Sequence, residues 1–108
     1  MRDGCYLILR WIYQDVAKFN KFLRVTSAQL WPHMPASDAQ ELLAAKLMGR
    51  WRHGTPLVLS PDRPRDALAL NNDFAYTADP TGSRCPFSAH IRIANRRDDE
   101  MTFANSLK

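Results

Sequence analysis

The chain has little cysteine, little glycine, no long apolar run and no block of like charge. Its two cysteines, Cys5 and Cys85, match no zinc-ligand or redox spacing, and two cannot build a disulfide framework. A reducing compartment is the expectation, with the cytoplasm as default localisation. The apolar run after Arg2 and Asp3 extends only from Cys5 to Leu9, too short for a signal peptide or a membrane span. A membrane partner is therefore not expected. Neither internal repeats nor low-complexity segments are present, which excludes solenoids and disordered tracts. Fifteen basic residues stand against eleven acidic ones, for a formal charge of +4. They are interspersed, with Asp98-Asp99-Glu100 directly after Arg96-Arg97. No zinc-finger, RNP or helix-turn-helix pattern accompanies them, so a nucleic-acid partner is not expected. A basic nucleic-acid-binding domain stays as a minor alternative, recognisable by affinity that falls steeply with salt.

What is present fits one globular domain or part of one: 108 residues, 45% hydrophobic and 24% charged. Cys5-Tyr6-Leu7-Ile8-Leu9-Arg10-Trp11-Ile12 reads as a central strand, apolar on both faces for most of its length. The next pattern predicts a helix over Tyr13–Leu23, with Val16, Phe19, Phe22 and Leu23 on one face. Trp31-Pro32-His33-Met34-Pro35 breaks it. Ser37-Asp38-Ala39-Gln40 has the form of a capping box, opening a second helix through Leu42, Leu43 and Leu47 to a Gly49 cap. From Gly49 to Arg84 the chain is punctuated by Gly54, Pro56, Pro61, Pro64, Pro80 and Gly82. Leu57-Val58-Leu59 is a candidate short strand, and Asn71-Asn72-Asp73 and Asp79-Pro80-Thr81-Gly82 are turn chemistry. Cys85–Asn95 reads as a short helix with Pro86 at its first position. One clear strand cannot close a sheet. The chain is therefore expected to be part of a larger domain, or to complete itself by association.

The chemistry concentrates in Cys85-Pro86-Phe87-Ser88-Ala89-His90-Ile91-Arg92, continued by Ile93-Ala94-Asn95-Arg96-Arg97-Asp98. A neutral imidazole so placed can bind a metal through one nitrogen while the other is held by a hydrogen bond. The nearby cations suit an anionic cofactor such as haem, whose propionates need counter-charge. A histidine beside apolar residues also serves as a structural histidine, and the residues alone leave both readings open. His33 and His53 lie in loops and read as solvated. Cys85 reads as a small buried packing residue. Trp11, Trp31 and Trp51 read as core or interface aromatics.

Four blocks in order resemble the Dyp-type (dye-decolourising) haem peroxidases, over about residues 4 to 98. The first runs from Gly4 to Arg10, with Gln14-Asp15-Val16 and Phe19 to Leu23. The second is Ala44 to Arg52 with Gly54-Thr55-Pro56-Leu57. The third is Asn71-Asn72-Asp73-Phe74 with Tyr76, Asp79-Pro80 and Gly82. The fourth is Arg84-Cys85-Pro86 with Ala89-His90-Ile91-Arg92, Asn95, Arg97 and Asp98. The resemblance places the chain, residues 1–108, inside the C-terminal haem-binding domain of such an enzyme. It implies an α+β fold: an incomplete part of a ferredoxin-like domain of the dimeric α/β-barrel type, with a long irregular loop region. It implies haem b as cofactor, His90 as proximal iron ligand, and Arg92, Asn95 and Arg97 as cofactor-binding residues. The implied reaction is reduction of hydrogen peroxide with oxidation of dyes or phenolic donors.

The family's distal aspartate, in Gly-x-x-Asp-Gly, has no counterpart here, since Arg2-Asp3-Gly4 lacks the leading glycine. Its distal arginine belongs to a segment downstream of this region. Arg96 stands where the family has proline, and His53 at a usually small position. The expectation is a segment with the iron ligand and little activity alone, completed by a second chain or by self-association. An alternative of another class is a non-catalytic association module without haem.

Overall fold

In a computed structural model, residues 3–99 are described. Helix α1 spans Val16–Leu30, α2 Ala36–Met48 and α3 His90–Ala94, with one 3-10 turn at Asp66–Leu68. Helix α1 packs on α2, and α2 reaches α3. No strand forms among the described residues; the nearest approach to pairing is an isolated antiparallel bridge between Arg50 and Pro56. The fold is mostly helix and loop, which corrects both strand expectations. Residues 5–12 are irregular and exposed, and Leu57-Val58-Leu59 forms turns. A strand needs a neighbour to take its backbone N–H and C=O groups, and none is present among the described residues.

Asp15 caps α1, accepting from the Lys18 amide at 2.9 Å, so the helix starts three residues later than its periodicity predicts. It then runs on to Leu30, because nothing before Pro32 interrupts it. Of the expected apolar face only Leu23 is buried; Val16, Phe19 and Phe22 stay partly exposed. The capping box at Ser37 does not form. Helix α2 already begins at Ala36 with Pro35 as its cap residue. The Ser37 hydroxyl turns to Asp38, and the Gln40 amide donates to the Ala36 carbonyl. Pro35 fixes the turn-to-helix angle before Ser37 is reached.

The C-terminal end of α2 follows the sequence. Gly49 takes φ +94° and donates to the Ala45 carbonyl at 2.7 Å. A Cβ there would lie 2.4 Å from Ile91 Cγ1, so the bare glycine also lets α3 approach. The core lies mostly beyond this point. Ala45, Trp51, Leu57, Val58, Phe74, Tyr76, Cys85 and Ala89 form one buried cluster, with Leu42 and Ile91 packed against it.

Candidate functional site

Because residues 50–99 have almost no ladder to satisfy their backbone, side chains do so. The Trp51 indole donates to the Ser60 carbonyl at 2.7 Å. The Thr55 hydroxyl donates to the Arg65 carbonyl and accepts from the Arg65 amide. Arg50 donates to the Gly54 and Asn71 carbonyls and to Asn72 Oδ1. Lys46 Nζ donates to the Ser83 and Arg84 carbonyls, each at 2.7 Å. These bonds tie α2 to the loops that lead into α3.

Arg92 is the centre of this network. Its guanidinium is 1% exposed, between Asp79 and Asp99. Nε donates to Asp99 Oδ2 at 2.5 Å and Nη2 to Asp99 Oδ1 at 2.7 Å, a bidentate pair. Nη1 donates to Asp79 Oδ2 at 2.9 Å and to the Cys85 carbonyl at 2.6 Å. Nη2 also reaches the Asp79 carbonyl at 3.1 Å. An arginine has five N–H donors, and all five have acceptors here. The rings of Tyr76 and Phe87 each lie 4.4 Å from the guanidinium carbon. Asp79 in turn accepts from the Arg84 and Cys85 amides and the Ser83 hydroxyl. Burial pushes its carboxyl up, but these donors and Arg92 outweigh burial and hold it below its ordinary value. Arg92 is held above its ordinary value, chiefly by its bonds to Asp99. Burial raises the Cys85 thiol, which is fully enclosed.

A second anchor follows α3. Asp98 accepts the Tyr76 amide at 2.6 Å, the Thr77 amide at 2.8 Å and the Thr77 hydroxyl. The Thr77 hydroxyl and then the Tyr76 amide hold this carboxyl down to about 2. Arg97, at φ +54°, donates to the Asn72 and Phe74 carbonyls and to Asn72 Oδ1. Its guanidinium carbon is 3.8 Å from the centre of the Phe74 ring. The Tyr76 hydroxyl is buried without a hydrogen-bond partner of good geometry among the described residues.

The expected site residues thus separate by environment. His90 is the first residue of α3 and is exposed, with its ring in no hydrogen bond among the described residues. Its neighbours Ala89 and Arg92 are buried, and Ile91 packs on the core. Asn95 is exposed just beyond α3, its Oδ1 accepting from the Arg97 amide at 3.3 Å. Arg92 faces inward, away from His90, and its donors are spent. A propionate contact by Arg92 does not fit this arrangement, and Arg97 is committed to the Asn72–Phe74 loop. The helix itself is shorter than expected. It starts at His90, and Pro86 instead opens a turn in which the Ala89 amide donates to the Pro86 carbonyl. Sequence reading missed Asp79 and Asp99 as the partners of Arg92. Asp79 carried turn chemistry and a place in the third block, and nothing local to it points 13 residues ahead.

His33 is exposed in the α1–α2 turn. His53 lies beside the Thr55 hydroxyl at 3.1 Å and Asp66 at 3.7 Å. Among the described residues no three His, Cys, Asp or Glu side chains group as a metal site. No helix there is long and apolar enough to cross a membrane.

No family model matches the chain. Among curated proteins it is similar to a dye-decolorizing peroxidase of Mycetinis scorodonius, 38% identical over 102 residues, covering 91% of this chain and 20% of that protein. A dye-decolorizing peroxidase of Exidia glandulosa is 36% identical over 118 residues, covering 99% of this chain and 23% of that protein. Solved structures give the same answer. A dye-decolorizing peroxidase in complex with 2,6-dimethoxyphenol superimposes with TM-score 0.69 at 32% identity, over 78% of this chain and 21% of that one. A DyP-type peroxidase of Anabaena sp. does so with TM-score 0.66 at 35% identity, over 80% of this chain and 17% of that one. The chain spans about a fifth of the length of the curated relatives it matches. In sequence over 91% of its length and in fold over 78–80% of it, the chain matches one segment of the dye-decolourising peroxidases.

Proposed function

We propose that the chain is part of the C-terminal haem-binding domain of a peroxidase, with His90 as the proximal iron ligand. The whole enzyme would reduce hydrogen peroxide and oxidise dyes or phenolic donors. One observation carries the reading: the exposed His90 imidazole makes no hydrogen bond among the described residues, while Ala89 before it and Arg92 after it are buried. An axial ligand needs an imidazole nitrogen that no other group occupies, and the exposed His90 offers one. That no three-residue metal cluster forms among the described residues does not count against haem, since four of its iron's ligands are porphyrin nitrogens. For the propionates the fit is poorer, because Arg92 and Arg97 are committed elsewhere. Asn95, exposed one turn beyond His90, is the remaining candidate. Haem, when bound, would supply the iron through which electrons pass from donor to peroxide.

Cleaving peroxide also needs a proton carrier on the face opposite the ligand. His90 cannot serve there while its nitrogen is held by iron, and the family's distal aspartate motif is unmatched in this sequence. Haem binding with little turnover is the behaviour expected of the chain alone. In the whole domain, the exposed apolar run from Tyr6 to Tyr13 would join the ferredoxin-like sheet. That same run favours a second reading, an association module that binds no haem.

The test is a haemin titration of the chain beside His90→Ala. The proposal expects a shifted, saturable Soret band that the substitution abolishes. The same band in both proteins, or none in either, would leave the association module standing.

A further inference from the structure

We propose that Arg92 is a positioning residue for His90: by fixing α3 to Asp79 and Asp99 it sets where the imidazole points, without touching cofactor or substrate. The inference rests on His90 being the iron ligand. Helix α3 has only five residues and no side-chain cap at Ala89, too little to be stable by itself. What holds it is tertiary. Ala89 is buried in the core, Ile91 sits against Gly49, and Arg92 spends every donor on groups outside the helix. Those acceptors come from both sides in sequence, Asp79 and Cys85 before α3 and Asp99 after it. The guanidinium therefore pins the entry and exit of the helix to one plane. His90, two residues before Arg92, is exposed, with no bond of its own among the described residues to orient it. Its direction is inherited from the backbone that Arg92 holds.

Lysine keeps the charge but cannot form the bidentate pair with Asp99 or reach five acceptors. The experiment measures haemin affinity by Soret titration in the chain, Arg92→Lys, His90→Gly, and the double variant. The His90→Gly proteins are titrated with and without saturating imidazole. Arg92→Lys is expected to weaken haemin about 10-fold while His90 is the ligand, the lower end of what losing a group that orients a metal ligand costs, because Arg92 acts through the backbone and not through a bond to the imidazole. With free imidazole in place of His90, the same substitution should change affinity less than about twofold, since a free ligand needs no helix to aim it. Equal losses in both backgrounds, or no loss in either, would overturn the positioning role and leave the ligand intact. If His90→Gly without imidazole titrates like the unaltered chain, the ligand reading itself fails, and this inference with it. Far-UV circular dichroism monitors folding. Should Arg92→Lys not fold, Asp99→Asn, which removes the less buried anchor, is read by the same criteria.

Discussion

Residues 3–15 and residues 50–99 make opposite use of their sequences. The first stretch is rich in strand-forming apolar residues, yet Leu7 is 92% exposed and Trp11 95%. The second is broken by proline and glycine and has almost no regular structure. It nevertheless holds Trp51, Leu57, Val58, Phe74, Tyr76, Cys85 and Ala89 in one buried cluster. The difference lies in where backbone polar groups find partners. A strand depends on a second strand, whereas the loops of residues 50–99 carry their own acceptors and donors in Asp79, Asp98, Thr55, Arg50, Arg92 and Arg97. Order in this chain follows closure of hydrogen bonds rather than helix or strand content.

The sharpest way to break the loop region is to remove its central cation. Arg92→Met keeps the apolar volume but leaves Asp79 and Asp99 enclosed without their counter-charge. Breaking a buried pair in this way costs about 3–5 kcal/mol. Urea unfolding followed by tryptophan fluorescence should show that loss. A change below about 1 kcal/mol would mean that the network is a by-product of packing and does not hold it together.

Gly49→Ala attacks the contact between α2 and α3. It places a Cβ 2.4 Å from Ile91 Cγ1 on a backbone at φ +94°. The expected cost is about 1–3 kcal/mol, from overpacking and a strained backbone. Adding Ile91→Ala should recover only the steric part of this. Full recovery in the double variant would show that the left-handed backbone is not needed.

Gly49 also shows what the sequence made legible. A glycine after the last periodic residue of a helix needs only local geometry to be read, and its role as a cap stands in the structure. His90 stood out by its motif, but neither its exposure nor its place as the first residue of α3 could be read from that motif. The role of Arg92 was not legible: its run of basic neighbours points to an anionic ligand, while its partners lie 7 and 13 residues away. Ser37 failed as a cap for a different reason, since a rigid Pro35 two residues earlier claimed the turn. The run from Cys5 to Ile12 kept its strand pattern but not its strand, because pairing is a property of two segments and sequence describes one.

Acid should separate the two regions more gently. Asp98 falls from an ordinary 3.8 to about 2 in the fold, held by Thr77 and the Tyr76 amide. A lowered carboxyl binds protons more readily in the unfolded chain, so its stabilisation is present above about pH 4. It is lost as pH falls toward about 2, and Asp79 acts in the same direction. Asp98→Asn should therefore flatten the dependence of the urea midpoint on pH within that window. An unchanged slope would remove Asp98 as an acid-labile anchor.

The smallest expected effect belongs to the exposed apolar stretch. Leu7→Lys with Leu9→Lys places two charges where the side chains are 92% and 81% exposed. No buried contact is lost, so stability should move by less than about 0.5 kcal/mol. The substitutions should instead act on association, since an unpaired apolar segment is a template for another chain. Sedimentation velocity across a concentration series separates the two effects. An unaltered chain that self-associates, beside a monomeric double variant of equal stability, would mark residues 5–12 as a segment whose partner lies outside residues 3–99. A loss above about 1 kcal/mol in the monomer would show that the stretch is already paired within the chain, and the contrast between the two regions would fall.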